Sequence, residues 1–182
     1  MQHDGVETEI KLRAPSPVEA RAAVVALGAQ VRRPRHFEDN LLLDDVRHRL
    51  RSAGCALRLR RTPEGGWLTY KGPRQEGGEV KARPEIEVFV AKADADTLEA
   101  LLAAVGFRRV FRYQKYREAW SWKDVEIVVD ETPVGTFFEI EGPVAGIHEA
   151  AAALGYQRSD YLTESYVGLF FAAGGQGDMV FE

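Results

Sequence analysis

The chain has 182 residues and a formal net charge of -4 at pH 7, which argues against general binding to nucleic acid. With 45% hydrophobic and 29% charged residues it has the composition of a soluble globular protein, which excludes a disordered chain. No apolar run is long enough to span a bilayer, no signal-peptide pattern begins the chain, and the single cysteine, Cys55, cannot form an internal disulfide. We therefore expect a cytoplasmic protein without membrane association.

The first strand and helix carry strong local signals. Val6–Arg13 alternates between polar and apolar residues and predicts a strand. Ser16 at the cap position, Pro17 at the first helical position and Glu19 three residues after the cap predict the start of a helix. This helix is expected to cover Val18–Leu27 and to end at the glycine that follows.

The rest of the chain predicts strands joined by turns, with two more helices. The predicted strands are Gln30–Arg35, Phe37–Asp45, Cys55–Arg61, Trp67–Lys71, a long strand carrying Lys81 to Glu87, Arg108–Trp122, Val125–Glu131 and Thr136–Glu141. The predicted helices run from a cap at Asp94 or Asp96 through Val105 and over Ala145–Leu154. We also predict a turn at Leu50–Gly54, a short strand or helix at Ser165–Phe171, and a disordered Gly-rich tail over residues 172–182.

A Glu-x-Glu pair recurs three times along the chain. Glu85-Ile86-Glu87 stands 78 positions after Glu7-Thr8-Glu9, and the glycines that end the following helical patterns, Gly28 and Gly106, are also 78 apart. A third pair, Glu139-Ile140-Glu141, again precedes a helix. One such pair would be explained by a solvated strand face. Three pairs, each leading into a helix, indicate an architecture that gathers carboxylates in one place.

Charged residues also share strand faces. Lys81, Arg83, Glu85 and Glu87 lie on one face of their strand, and if the opposite face packs on helices through residues such as Ile86 and Val88, the charged face can line a lumen. Residues 47–61 hold six arginines and no acid, which fits either an enclosed polyanion site or ordinary surface arginines. About eight strands, mostly in antiparallel hairpins, predict an α+β fold in which an eight-stranded antiparallel β-barrel, or tunnel, is flanked by α-helices.

Such a lumen has a definite chemistry. Clustered Asp and Glu without a histidine partner are hard oxygen ligands that suit Mg²⁺ or Mn²⁺ better than zinc. Lysine and arginine in the same cavity suit phosphate oxygens, and metal ions that bridge phosphates within a basic cage stabilise phosphoryl transfer. The sequence has no P-loop, and no nucleophilic serine or cysteine arrangement can be read from its spacing.

Seven motifs occur in a fixed order between Val6 and about Phe170. They are Glu7-x-Glu9-x-Lys11, Ala56-Leu57-Arg58-Leu59-Arg60, Thr69-Tyr70-Lys71-Gly72-Pro73, Arg83-x-Glu85-Ile86-Glu87, Lys115-x-Arg117, Asp130 and Gly135-x-x-x-Glu139-x-Glu141. In this order they resemble the CYTH superfamily. Its members are the triphosphate tunnel metalloenzymes, which include class IV adenylyl cyclases, thiamine triphosphatases and inorganic tripolyphosphatases.

The resemblance implies a single tunnel domain over residues 1–171 that binds a triphosphate and Mg²⁺ or Mn²⁺. The implied metal ligands are Glu7, Glu9, Asp130, Glu139 and Glu141. The implied phosphate-binding residues are Lys11, Arg58, Arg60, Lys71, Arg83, Lys115 and Arg117. Glu85 and Glu87 would line the tunnel, and the catalytic residues would be Glu7, Glu9, Lys11 and Asp130.

The resemblance leaves the reaction open. We expect metal-dependent hydrolysis of an inorganic or organic triphosphate, such as tripolyphosphate, ATP or thiamine triphosphate. The alternative is a class IV adenylyl cyclase that converts ATP to cyclic AMP and pyrophosphate. A non-catalytic polyphosphate- or nucleotide-binding module is a third reading, because Glu164 precedes Ser165-Tyr166 where many members have lysine. No adenine pocket is evident. A homodimer is compatible with the resemblance, although no residue marks an interface.

Overall fold

The computed structural model describes residues 6–75, 80–162 and 164–182, and over these ranges eight strands form a closed barrel. The strands are β1 (Val6–Ala14), β2 (Gln30–Asp44), β3 (Ala56–Arg61), β4 (Gly65–Lys71), β5 (Lys81–Ala91), β6 (Arg108–Trp122), β7 (Val125–Thr132) and β8 (Gly135–Glu141). The α-helices are α1 (Pro17–Ala26), α2 (Arg49–Ser52), α3 (Ala95–Ala104), α4 (Val144–Ala153) and α5 (Tyr166–Ala172). Met1–Gly5 and the Glu76–Glu79 part of the loop after β4 lie outside the described residues.

The strands follow one another around the barrel in the order β1-β5-β4-β3-β2-β6-β7-β8. Every neighbouring pair is antiparallel, including β8 with β1, which closes the ring. The predicted α+β fold with an eight-stranded antiparallel tunnel and flanking helices is therefore confirmed. In the described part of the chain no helix is long and apolar enough to cross a membrane.

Each Glu-x-Glu strand is followed by a long helix, as the repeat predicts: β1 by α1, β5 by α3 and β8 by α4. Ser16 caps α1, where its hydroxyl oxygen accepts a hydrogen bond from the Glu19 amide at 3.2 Å. The helices are followed by Gly28, Gly106 and Gly155, whose φ angles are +75°, +100° and +87°. Glycine is favoured there because other residues rarely adopt a positive φ.

The hydrophobic core lies outside the barrel, between its outer face and the helices. One cluster joins Ile10, Leu12 and Phe138 of the strands to Val24 of α1 and Ile147 of α4. A second cluster lies between strands β2, β3 and β5 and helix α3. The outer face thus supplies most of the apolar contacts, and the inner face carries most of the charged residues together with a third cluster that includes Phe111, Tyr113 and Tyr166.

The prediction that helices cover the outer face of β5 is wrong for two residues. Ile86 is 70% exposed and Val88 is 56% exposed. Helix α3 packs instead on Leu41, Leu59 and Val90, nearer the other end of the strand.

Strand β2 also differs from the prediction of two strands in a hairpin. It is one continuous strand of 15 residues, Gln30–Asp44, that pairs with β6 along its length. Its register with β6 shifts between Val31 and Arg33 and between Arg33 and His36, and these irregularities accommodate Pro34 within the strand. The predicted turn at Leu50–Gly54 contains the end of the short helix α2.

The tail predicted as disordered instead makes specific contacts. Met179 is fully buried. The Met179 amide donates to the Arg112 carbonyl, and its carbonyl accepts from the Gln114 amide, both at 2.9 Å. Strand β7 pairs with β6 only from Tyr116 onward, so the tail supplies backbone partners for the free edge of β6. The Gly-rich composition gave no sign of this long-range pairing.

Candidate active site

A cavity of about 570 Å³ occupies the inside of the barrel. Its charged lining includes members of every predicted motif except Asp130, together with Lys81. These residues are Glu7, Glu9, Lys11, Arg58, Arg60, Lys71, Lys81, Arg83, Lys115, Arg117 and Glu139. The alternation of side chains along the strands therefore directs these charged positions inward.

The first Glu-x-Glu-x-Lys row is a chain of buried ion pairs. Lys11 lies between Glu9, at 3.1 Å, and Glu139, at 2.9 Å. Glu9 also contacts the Lys81 ammonium group. Burial alone would raise the pKa of Glu9, but the neighbouring ammonium groups of Lys11 and Lys81 lower it to about 2. Glu9 is therefore ionised at neutral pH.

Asp130 is fully buried, and the groups around it are all hydrogen-bond donors. It accepts from Lys115 Nζ at 3.0 Å, from Arg117 Nε at 2.8 Å and Nη2 at 2.5 Å, and from the Tyr166 hydroxyl at 2.8 Å. Both carboxylate oxygens are thus engaged by the protein itself. Asp130 therefore holds Lys115, Arg117 and Tyr166 in place in this structure.

Three residues with evident roles in the cavity were not among the predicted site residues. Lys81 pairs with Glu9. Glu38 lies fully buried between Arg60, at 3.5 Å, and Lys115, at 3.6 Å. The Tyr166 hydroxyl donates a hydrogen bond to Asp130. Burial would raise the pKa of Glu38, but Arg60 and Lys115 hold it well below its ordinary value. Lys81 shares a strand face with Arg83, which already indicated that its side chain could point into the lumen. Glu38 is preceded by a strand irregularity, so its inward direction could not be read from the sequence.

We expect Tyr166→Phe to destabilise the protein by about 1.5–3 kcal/mol, because a buried charged acceptor loses a hydrogen bond. Tyr166 lies between Lys11 and Lys115, with its ring centroid 5.1 and 5.3 Å from their ammonium groups, so the aromatic contacts remain in the variant. Urea unfolding measures the loss. Tyr156→Phe is the matched control, since the Tyr156 hydroxyl donates at the surface to the Arg13 carbonyl, and an equal loss in both variants would contradict this reading.

Three arginines in the cavity retain donors that are not used within the protein. Arg58 Nε, Arg60 Nε and Arg83 Nη2 are buried and have no hydrogen-bond partner among the described residues. The contacts that Arg58 does make are long: 3.3 Å to the Tyr113 hydroxyl, 3.4 Å to Thr69 and 3.8 Å to Glu87. Buried donors without partners are costly, so a ligand with several oxygen acceptors would fit this cavity.

The remaining predicted residues lie at the edge of this network. Lys71 contacts both Glu7, at 2.5 Å, and Glu85, at 2.6 Å. Glu87 accepts a hydrogen bond of 2.5 Å from Thr69, and Glu85 and Glu87 follow Arg83 along the inner face of β5. Glu164, which replaces the expected lysine, is exposed.

Glu141 and the carboxylates near it show best whether the residues of the barrel fit a divalent cation. Glu141 pairs in register with Glu9 on one side and Glu126 on the other. Burial raises the pKa of Glu141 to about 8, with further contributions from Glu7, Glu9 and Glu126. Carboxylates crowded in this way are the donor set that a hard cation neutralises, so Glu7, Glu9 and Glu141 fit such an ion, which would share Glu7 with Lys71 and Glu9 with Lys11 and Lys81. No three Asp, Glu, His or Cys residues in the described ranges are already arranged as a complete metal site.

Comparison with known proteins gives consistent results. A sequence profile of the CYTH domain matches residues 5–166. The chain is 27% identical over 145 residues to a Methanocaldococcus jannaschii protein named "Putative adenylate cyclase MJ0240", covering 79% of this chain and 81% of that protein.

Two solved structures extend the likeness in fold. A Vibrio parahaemolyticus protein described as "a putative adenylate cyclase" has a TM-score of 0.81 at 17% identity, covering 93% of this chain and 99% of that chain. A Hippeastrum protein, HpAC1, described as a putative adenylyl cyclase with a dominant triphosphatase activity, has a TM-score of 0.68 at 23% identity, covering 93% and 97%. Since the CYTH profile spans nearly the whole chain and the barrel carries the expected motifs, the protein belongs to the CYTH domain family, which includes triphosphatases and class IV adenylate cyclases.

Proposed function

We propose that this protein is a divalent-metal-dependent hydrolase of triphosphates. The observation that carries the proposal is the coexistence, in one barrel, of buried arginine donors without partners among the described residues and a group of neighbouring carboxylates, in which Glu141 is the cross-strand partner of Glu9. A triphosphate satisfies the first and a Mg²⁺ or Mn²⁺ ion satisfies the second.

In this proposal Glu7, Glu9 and Glu141 hold the metal ion, with Glu139 near them and paired to Lys11. Bound there, the ion would polarise phosphoryl oxygens and assist a nucleophilic water. The resemblance implies Asp130 as a metal ligand and catalytic residue, whereas its four contacts with hydrogen-bond donors support a positioning role. Asp130 orients Lys115 and Arg117 toward the substrate.

The protein's own side chains supply the electrostatic part of catalysis. Arg58, Arg60 and Arg83 donate to phosphate oxygens, while Lys11, Lys71, Lys81, Lys115 and Arg117 offset the substrate charge from the walls. In hydrolysis the oxygen of water bonds to the terminal phosphorus, the bridging P–O bond breaks, and the diphosphate leaves with that bridging oxygen. Positive groups that are fixed in advance stabilise the charge that develops on this oxygen.

Cyclisation is the second candidate, and it is favoured by the name of the relative that is 27% identical. In that reaction the ribose 3′-hydroxyl attacks the α-phosphorus and pyrophosphate leaves. The same basic cage would serve, with the triphosphate bound so that its α-phosphorus faces the reacting groups.

The metal assignment is tested by Glu141→Gln. We expect phosphate release from ATP or tripolyphosphate in Mg²⁺ or Mn²⁺ to fall by at least about 10- to 100-fold in the variant, and to stop in the wild type on addition of EDTA. Glu149→Gln is the matched control, since Glu149 pairs with Lys123 at the surface. Release that survives EDTA, or an unchanged Glu141 variant, would contradict the assignment.

The same substitution is expected to stabilise the metal-free protein. Between the ordinary pKa of 4.5 and the raised pKa of about 8, the folded protein retains a proton on Glu141 that the unfolded chain has lost. The wild type therefore loses stability as pH rises through this window, and glutamine removes that loss. In EDTA we expect Tm to be higher in Glu141→Gln than in the wild type, and the difference to be larger at pH 8 than at pH 5.

A further inference from the structure

The cavity has an apolar end that the charged motifs do not explain. We call it the apolar mouth and define it by Leu42, Ala56, Val110, Phe111, Val167 and Phe171. These residues come from β2, β3, β6 and α5, and they meet only in the folded barrel. Two of them remain open to solvent: Val110 is 45% exposed and Phe171 is 48% exposed.

The apolar mouth adjoins the arginine that has spare donors. Leu42 is the direct cross-strand partner of Arg58, and Ala56 precedes Arg58 by two positions on the same face of β3. Two residues along a strand span about 7 Å. If a phosphate of the ligand binds Arg58, the organic group attached to that end of the triphosphate would therefore lie against the apolar mouth.

The aromatic side chains of the mouth are held in place before a ligand arrives. Phe171 packs on Phe111 with ring centroids 5.5 Å apart and planes inclined by 54°. Its helix, α5, is fixed at the start by the Ser165 cap, which accepts from the Gly168 amide at 3.1 Å, and by the bond from Tyr166 to Asp130. A half-exposed phenyl ring on an anchored helix is suited to contact a flat organic group.

Polar groups near the mouth are largely engaged elsewhere. Asp44 accepts from the backbone amides of Asp45 at 2.8 Å, Leu50 at 3.1 Å and Arg51 at 2.9 Å, so its carboxylate holds α2 in place. The Tyr70 hydroxyl donates to Cys55 at 3.3 Å. His48, Arg51 and Arg74 also line the cavity, but they are exposed, and charged groups in contact with water contribute little to recognition. We therefore expect recognition at the mouth to rest mainly on apolar contact and stacking.

We infer that the substrate class is organic triphosphates, and that the apolar mouth binds the organic group. The inference rests on the proposed triphosphate chemistry and deepens it. Because apolar contact discriminates by only about 10- to 200-fold, whereas sites built on buried hydrogen bonds reach about 10⁴- to 10⁵-fold, the protein should prefer organic over inorganic triphosphate and discriminate weakly among bases.

The test is calorimetric binding, in Mg²⁺, of two ligands that cannot turn over: ATP with both bridging oxygens replaced by methylene, and the equally substituted tripolyphosphate. Wild type should bind the ATP analogue more tightly. Phe171→Ala should weaken the ATP analogue by about 5- to 30-fold and the inorganic analogue by less than about 2-fold, as loss of a stacking contact requires. Val110→Ser should act in the same direction, which guards against a disturbance of α5.

Phe89→Ala is the matched control. Phe89 is 54% exposed and packs on Trp67, away from the cavity, so both affinities should stay unchanged. Equal binding of the two analogues by the wild type, or equal weakening of both by Phe171→Ala, would overturn the inference. If both analogues bind as expected but the protein cleaves no triphosphate, the proposed hydrolysis is wrong while the inference about the apolar mouth stands.

Discussion

Arg58→Met is expected to lower kcat/KM for triphosphate hydrolysis by about 10²- to 10³-fold, the usual effect of removing one fixed donor to a developing anion. Arg58 lies in the cavity wall, its Nε has no hydrogen-bond partner among residues 6–75, 80–162 and 164–182, and its other contacts are 3.3 Å or longer. Its donors are thus available for phosphate. Since methionine retains much of the length and apolar volume, we expect only a small change in Tm.

Arg61→Met is the matched control on the same strand. Arg61 points outward and pairs with Glu99 at 2.6 Å and Asp96 at 2.8 Å. We expect kcat/KM to remain within about 2-fold of wild type there, since surface pairs contribute little and Arg61 is remote from the cavity. Steady-state phosphate release measures both variants. Similar activity in Arg58→Met and Arg61→Met would mean that the cavity arginine does not contact substrate.

Asp130→Ala is expected to cost about 3–5 kcal/mol of unfolding free energy, because it leaves Lys115 and Arg117 buried without the carboxylate that they share. Asp130 and Lys115 are both almost completely buried, so solvent screens their interaction only weakly. Glu38 remains beside Lys115 and Glu139 remains beside Arg117, so these carboxylates still offset part of the buried positive charge and limit the loss of unfolding free energy. Urea unfolding, with the slope checked against wild type, gives the value.

Asp39→Ala provides the matched comparison. Asp39 also binds an arginine through two hydrogen bonds, from Arg112 at 2.8 and 2.9 Å, but on the outer surface of the barrel. Such a pair is worth about 0–1 kcal/mol. Losses of similar size in the two aspartate variants would show that Asp130 does not hold the cavity cations together.

The sequence predicted the parts of the fold that depend on local periodicity. Alternation in Glu7-x-Glu9-x-Lys11 and Arg83-x-Glu85-x-Glu87 placed each set on one strand face, and we predicted an inward direction on the condition that helices cover the opposite faces, which does not hold at Ile86 and Val88. The predicted residues do line the cavity or lie beside it. Their roles could not be read in the same way, since the partners that engage Asp130 lie on β6 and α5, far from it along the chain.

The errors have related physical causes. We predicted two strands, Gln30–Arg35 and Phe37–Asp45, but pairing with β6 makes them one continuous strand through the irregularities around Pro34. The glycines after α5 suggested disorder, but the unpaired edge of β6 and a fully buried site for Met179 order that segment. The apolar mouth could not be predicted from the sequence, because its residues come from four separate elements and none forms a motif with its neighbours in sequence.

Phosphorus NMR of the purified protein with ATP and Mg²⁺ or Mn²⁺ is the simplest test of whether the barrel hydrolyses a triphosphate. The spectrum separates every product, and inorganic tripolyphosphate in a second tube tests the substrate class. We expect orthophosphate and ADP from ATP, with slower release of orthophosphate from tripolyphosphate. Pyrophosphate with a cyclic phosphodiester signal would contradict hydrolysis and assign the cyclase reaction, and unchanged ATP and tripolyphosphate with either metal would contradict catalysis on these triphosphates.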